Sequence, residues 1–275
     1  MSTAAVMLVK DEADVIDYTV GWLLSQVDRV YVNDNGSTDG TAEKLRALER
    51  AHGDDRIRVG NDPEVAYYQD RKTTALAKAA AADGFQWVVP CDADEVWCSS
   101  RGRVGDVLDE LTASAATIVD ATLWNHMASS LDDPAEPNPF RRMVYRIVEP
   151  GKLPKVAVRA NSDVWIQMGN HGASYSGTWT RAVHVTGLLE VRHFPYRSAD
   201  QFVRKAVTGA AAYRATDATH QESYGRHWQD YARIVEVFGE DAGREWWREH
   251  FFYADPVEDP RVVFDPAPSL ESGEL

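Results

Sequence analysis

Asp92, Asp94 and Glu95 sit almost side by side in Pro90-Cys91-Asp92-Ala93-Asp94-Glu95-Val96-Trp97. Carboxylates this close repel one another and require a cation or a proton. Mg2+ or Mn2+, held by one or two carboxylates together with substrate phosphates, is the usual solution. An Asp-x-Asp pair in a chain with 43 acidic residues says little alone. Its position directly after the apolar run Trp87-Val88-Val89 gives it weight, because in open α/β sheets ligands bind outside the carboxyl ends of the strands. A solvated turn is the competing reading.

A second cluster, Asn33-Asp34-Asn35-Gly36-Ser37-Thr38-Asp39-Gly40-Thr41, also follows an apolar strand and precedes a helix. Asp34 there is placed to accept hydrogen bonds from a nucleobase or ribose. Asp39 and Thr41 serve equally well as turn and cap residues, since such clusters are what turns are made of. A calcium EF-hand loop is excluded, because it would put Arg46 where the bidentate Glu must stand.

The elements that would position these groups follow from periodicity. Compact apolar runs at 4–9, 29–33, 56–59 and 85–90 read as buried strands, and helical patterns at 12–26, 41–51 and 70–82 separate them. That alternation implies a parallel sheet covered on both faces. After a helix at 104–113 the style changes to β-rich stretches at 117–124, 140–148, 155–159, 164–168 and 188–194. Helices at 199–214, 223–238 and 241–251 end the chain, with a loosely held tail from Ala254. The division expected is 1–115 for the nucleotide half, 116–198 for an acceptor-side β region of the same domain, and 199–275 for C-terminal helices and tail.

Composition bounds the rest. The 275 residues carry 29 Lys and Arg against 43 Asp and Glu, a net charge of −14. An acidic chain repels nucleic acid and anionic membranes, yet suits a divalent cation. No apolar run approaches the roughly 20 residues of a membrane span. Two cysteines build no disulfide framework, and no signal-peptide pattern opens the chain, so a cytoplasmic location is expected.

In order and spacing, three pieces resemble the family 2 glycosyltransferases of GT-A fold: Val6-Met7-Leu8-Val9-Lys10-Asp11-Glu12-Ala13, the Asn33–Thr41 turn, and the Cys91–Trp97 motif. The likeness extends more loosely through Pro154–Arg159, Gly169-Asn170-His171 and His193–Ser198. It implies a Rossmann-type α/β sheet, mixed but mostly parallel, flanked by helices. It also implies a nucleotide-sugar donor (a UDP-sugar first), a hydroxyl-bearing acceptor and Mn2+ or Mg2+. By that likeness Val9, Lys10, Glu12, Asp34, Asn35, Arg71, Lys72, Asp92, Ala93, Asp94, Arg197 and Lys205 contact the donor. Many relatives carry Asp where Asn35 stands. Asp92 and Asp94 hold the metal with a later His: His193 at the end of an apolar strand, with His171 in Gly-Asn-His-Gly as the alternative. Glu95, Trp97, Trp124, His171 and Trp179 are the expected acceptor contacts, since sugar faces stack on aromatic rings.

An inverting transferase needs a base within reach of the acceptor hydroxyl. No clean copy of the family's acidic motif is present, and Asp132, Asp133, Glu136 and Asp163 are the candidates. Two other readings compete. Asp92-Ala93-Asp94-Glu95-Val96 fits the Asp-x-Asp-x-Val pattern of haloacid-dehalogenase-type phosphatases, although that motif normally follows the first strand. The other is a nucleotide-sugar or carbohydrate-binding module without activity.

Overall fold

The computed structural model describes residues 3–176 and 182–268. In chain order the strands are β1 (Thr3–Val9), β2 (Arg29–Asp34), β3 (Ile57–Asn61), β4 (Trp87–Pro90), β5 (Glu95–Cys98), β6 (Ile118–Ser129), β7 (Tyr145–Ile147), β8 (Lys155–Arg159), β9 (Val164–Ile166), β10 (Ala173–Tyr175), β11 (His184–His193), β12 (Phe252–Tyr253) and β13 (Val262–Phe264). The helices are α1 (Ile16–Gln26), α2 (Thr41–His52), α3 (Gln69–Ala82), α4 (Val104–Glu110), α5 (Pro139–Arg142), α6 (Ala199–Arg214), α7 (Ala218–Ser223), α8 (Arg226–Phe238) and α9 (Glu240–Phe251).

The main sheet runs β13-β7-β6-β8-β4-β1-β2-β3, with β11 joining β6 to β5. Its first-half strands β4-β1-β2-β3 are parallel. β8 lies antiparallel to both β4 and β6, so the sheet is mixed rather than purely parallel. Parallel neighbours need covering crossovers, and the chain between β6 and β8 supplies only a four-residue helix and a short strand. β1 shows why both faces are apolar. Ala5, Met7 and Val9 enter one core with α1 and α4, while Ala4 and Val6 enter another with Ala77 and Ala80 of α3. This is the period of two expected of a strand covered on both sides.

Several expected elements differ in detail. The stretch 140–148 opens as α5 rather than as strand, because Asn138 caps it by accepting from the Phe140 N–H at 2.9 Å and Pro139 occupies the first turn. The helix expected at 223–238 starts three residues later, at Arg226, and a short helix not expected from the sequence, α7, precedes it. Gly225 stands at φ +70°, and a Cβ there would meet the Tyr213 ring at 2.6 Å, so α7 stops before it and α8 starts after it. Part of the tail is ordered, since β13 pairs antiparallel with β7.

β6 also carries a buried histidine. His126 is stacked on Phe194 at 4.4 Å, and its Nδ1 lies 2.9 Å from the Met143 carbonyl. Burial lowers its pKa from 6.5 to about 4. A depressed folded-state value contributes stability that is complete above pH 6.5 and lost as pH falls toward 4. Urea unfolding at pH 7.5 and 5.0 is expected to show the wild type losing about 2 kcal/mol more over that step than His126→Asn. Equal losses would contradict the assignment.

Candidate active site

The parallel half of the sheet determines which side chains meet. β4 pairs with β1 up to Pro90 opposite Val6, so the Asp92-Ala93-Asp94 turn emerges beside the Lys10-Asp11-Glu12 turn at the carboxyl ends of two adjacent strands. β5 then turns back antiparallel against β11, setting His193 opposite Glu95, and β11 lies parallel to β6 with His193 opposite Asn125. α6 begins after Ser198 accepts the Gln201 N–H and carries Arg204 and Lys205 over the same strand ends. Together they enclose a cleft of about 600 Å³.

Asp94 is almost fully buried and is held from three directions. Lys205 Nζ lies 2.5 Å from Oδ2, Arg197 at 3.7 Å from the same oxygen, and His193 Nε2 at 3.6 Å from Oδ1. Burial pushes its carboxyl up, but Lys205, His193 and Arg197 outweigh it and hold it well below the usual carboxylate range. Burial pushes His193 down to about 4, so the ring is neutral at neutral pH. Its Nδ1 lies 2.8 Å from Asn125 Oδ1, which fixes the proton on Nδ1 and turns the Nε2 lone pair toward Asp94.

Asp92 faces the other wall. Its Oδ1 accepts from Gln69 at 2.7 Å and Asn170 at 3.0 Å, and its Oδ2 from Lys155 at 2.6 Å. Lys155 bridges onward to Glu95 Oε1 at 2.7 Å and to the Gly169 carbonyl at 2.8 Å. Burial works against the Lys155 charge, but Asp92 and Glu95 raise its pKa above the usual range. Glu95 is fully buried, and burial first, then Asp92 and Asp94, raise it to about 7 despite Lys155. Behind both acids, Arg197 is buried against Glu12 and, at 2.8 Å, Asp14.

Of the expected donor contacts, Val9, Lys10, Glu12, Asp92, Ala93, Asp94 and Lys205 line the cleft. Asp34 is nearly buried, its Oδ2 accepting the Ser37 N–H at 3.2 Å. Asn35 donates to the Asp62 and Glu64 carbonyls, and Lys72 points into that same loop, 2.6 Å from Asp62 and 2.7 Å from the Glu64 carbonyl. Arg71 pairs with Glu64 over the Tyr68 ring. The structure thus uses Asn35, Arg71 and Lys72 to shape the loop after β3 rather than to face the cleft. Arg197 acts from behind the cleft wall.

On the acceptor side, His171 lines the cleft. Glu95 and Trp97 are fully buried, with the Trp97 indole donating to Glu95 at 3.2 Å, so neither is accessible to an acceptor. Trp124 is covered by the Arg146 guanidinium at 3.9 Å, away from the cleft. Trp179 lies outside the described residues. None of the base candidates reaches the cleft. Asp132 accepts from Ser129 at 2.8 Å, and Asp133 and Glu136 accept from the Ala135 and Asn138 N–H groups, so all three are spent on shaping their own loop. Asp163 sits in the turn before β9.

Sequence reasoning assigned no role to Lys155, Gln69, Asn170 or Asn125. A lysine opening the apolar strand Lys155-Val156-Ala157-Val158 was the available signal, because a buried cation needs an acid. The cleft residues Tyr67, Tyr213, Tyr224 and Trp228 add an aromatic wall that periodicity assigns to packing.

Comparison with known proteins comes at three levels. No curated protein matches the chain. Among solved structures it is similar to a mannosyltransferase, PcManGT from Pyrobaculum calidifontis, in complex with GDP-Man and Mn2+. The identity is 16% and the TM-score 0.44, over 90% of this chain and 75% of that one. It is also similar to S. aureus TarS (12% identity, TM-score 0.40, 87% of this chain and 43% of that one). A third is GalNAc-T7 with UDP, GalNAc and Mn2+ (11%, TM-score 0.39, 90% and 51%). The chain thus spans about half the length of the latter two. The family described as Glycosyl transferase family 2 matches residues 4–162. That match takes in the Lys10–Glu12, Asp34 and Asp92–Glu95 turns, β8 and its lysine, and more than half of the sequence, and by it the chain belongs to glycosyl transferase family 2.

Proposed function

We propose that the chain transfers a sugar from a nucleoside-diphosphate donor, a UDP-sugar first, to a hydroxyl-bearing acceptor, with Mn2+ or Mg2+ at Asp94 and His193. The observation that carries the metal is the facing pair itself. A carboxylate oxygen and a neutral imidazole nitrogen, both offering lone pairs, stand 3.6 Å apart in a cleft. Such a pair calls for a cation between or beside its members. Among the described residues no three His, Cys, Asp or Glu side chains form a closed site. Two protein ligands completed by phosphate oxygens and water are the usual arrangement for these ions. Asp92 has both oxygens taken, by Gln69 and Asn170 and by Lys155, whereas the cations on Asp94 meet only Oδ2 and leave Oδ1 toward His193, so Asp92 is better suited to orienting the donor than to ligation. When bound, the ion would neutralise charge on the diphosphate.

The chain's own cations support the same reading. Lys10, Lys152 and Arg204 line the cleft and make no ion pair among the described residues. In a chain of net charge −14, cations left unpaired at one cleft are placed for an anion. Lys205 already meets Asp94 and Glu12 and stands where a departing diphosphate would need positive charge. The phosphatase reading is not retained: the acidic motif follows the fourth strand, and the family is one of glycosyltransferases.

Thermal unfolding with UDP or GDP, each with Mn2+ and with EDTA, tests this. A nucleoside diphosphate at 100 times its Kd stabilises by about 2.7 kcal/mol, a rise of about 5 °C at this chain size. That rise is expected with Mn2+ and is expected to vanish in EDTA. Equal shifts in both would remove the metal from the proposal.

A further inference from the structure

The reaction needs a proton acceptor at the acceptor hydroxyl, and the acids expected for that task lie away from the cleft. Among the described residues, the carboxylates that do line it are Asp11, Glu12, Asp92 and Asp94, and each is committed. Asp11 accepts the Thr38 N–H at 2.7 Å. Glu12 is shared between Arg197 and Lys205. Asp92 is held by Lys155 and two amides, and Asp94 by Lys205 and Arg197. A carboxylate bonded to buried cations is a poor base, because taking a proton breaks those pairs.

His171 is differently placed. Its Nδ1 lies 2.8 Å from the Pro154 carbonyl, an acceptor only, so Nδ1 carries the proton and Nε2 the lone pair. Nε2 has no partner among the described residues, and the half-buried ring lines the cleft. The space beside Nε2 is kept open by glycine. A Cβ on Gly169, which stands at φ +70°, would come within 2.5 Å of the ring's Cδ2 and 2.9 Å of Nε2. The ring is also tied to the acidic motif, since Lys155 bonds both the Gly169 carbonyl and Asp92.

We propose that His171 Nε2 is the general base that deprotonates the acceptor hydroxyl. This rests on the glycosyltransferase reading above and requires inversion at the sugar. The acceptor O–H proton passes to Nε2 as the oxygen bonds to the anomeric carbon. The bond from that carbon to the phosphate oxygen breaks, and its electron pair leaves with the nucleoside diphosphate. The imidazolium then returns its proton to water.

His171→Asn keeps a side-chain N–H for the Pro154 carbonyl and lacks the lone-pair nitrogen. Its kcat is expected to fall about 10²–10⁴-fold, with the Kd for UDP and Mn2+ unchanged within twofold. Exogenous imidazole is expected to restore transfer to His171→Gly, and a merely structural role would give no rescue. A retained anomeric configuration, or wild-type kcat in His171→Asn, would overturn the base assignment alone. A wild-type chain that binds no nucleotide sugar would overturn the reading beneath it and this assignment together.

Discussion

Asp94→Asn is expected to lower kcat/KM for sugar transfer by about 10³-fold or more, the several kcal/mol that a metal supplies to developing charge. The substitution is nearly isosteric, yet it takes the negative charge from a point on which Lys205, Arg197 and His193 converge. The amide leaves the His193 lone pair facing a much weaker ligand, so the Mn2+-dependent part of nucleoside-diphosphate binding is expected to go with the activity. The fold is expected to survive, because Arg197 retains Glu12 and Asp14, and Lys205 retains Glu12. Calorimetric titration of UDP with and without Mn2+, set beside the rate, separates loss of the metal from loss of the fold. Wild-type transfer in this variant would remove Asp94 from the chemistry.

The second large effect is on stability. Lys155→Met removes the cation shared by Asp92 and Glu95 while keeping most of the side-chain volume. Breaking a buried pair from one side costs about 3–5 kcal/mol, or about 6–10 °C in Tm here. The loss has a sign in pH. Glu95 already stands raised to about 7 through burial, and without Lys155 its folded-state value rises further above the unfolded 4.5. A raised carboxyl favours the fold while protonated and penalises it as pH climbs through the folded value. The Tm gap between wild type and variant is therefore expected to widen from pH 6 to pH 8.5, and adding Glu95→Gln is expected to recover part of it. A gap that narrows with pH would show that Lys155 is not the partner that keeps Glu95 charged.

How much of this was legible beforehand differs by residue. The Asp92-Ala93-Asp94 turn at a strand end, the 199–214 helix and the placing of His193 at the end of a strand are all present as described. Each is a local matter, since a run such as Ala4–Val9 or the stripe of α6 reveals its face within a few residues. Breaks in the pattern were less legible. Asn138-Pro139 turned an expected strand into a helical turn, and Gly225 moved the start of a helix to Arg226, because the capping amide and the crowding Tyr213 ring matter only once the chain is folded. Acidity and a downstream position point to Asp132, Asp133 and Glu136 as bases, but their carboxylates serve their own loop.

The sequence by itself determined which turns stand at strand ends and carry the acids, because burial periodicity is written in neighbouring residues. Tertiary structure alone decided which cation faces which acid. Lys155 reaches Asp92 across 63 residues, Asn170 across 78 and Lys205 reaches Asp94 across 111. β8 runs antiparallel into the sheet and α6 crosses over its end, and neither register is encoded in local spacing. The net charge of −14 gave no hint of it: near the cleft the decisive fact is that buried acids share buried cations, Lys155 between Asp92 and Glu95 and Lys205 between Glu12 and Asp94, while Asp94 Oδ1 faces His193.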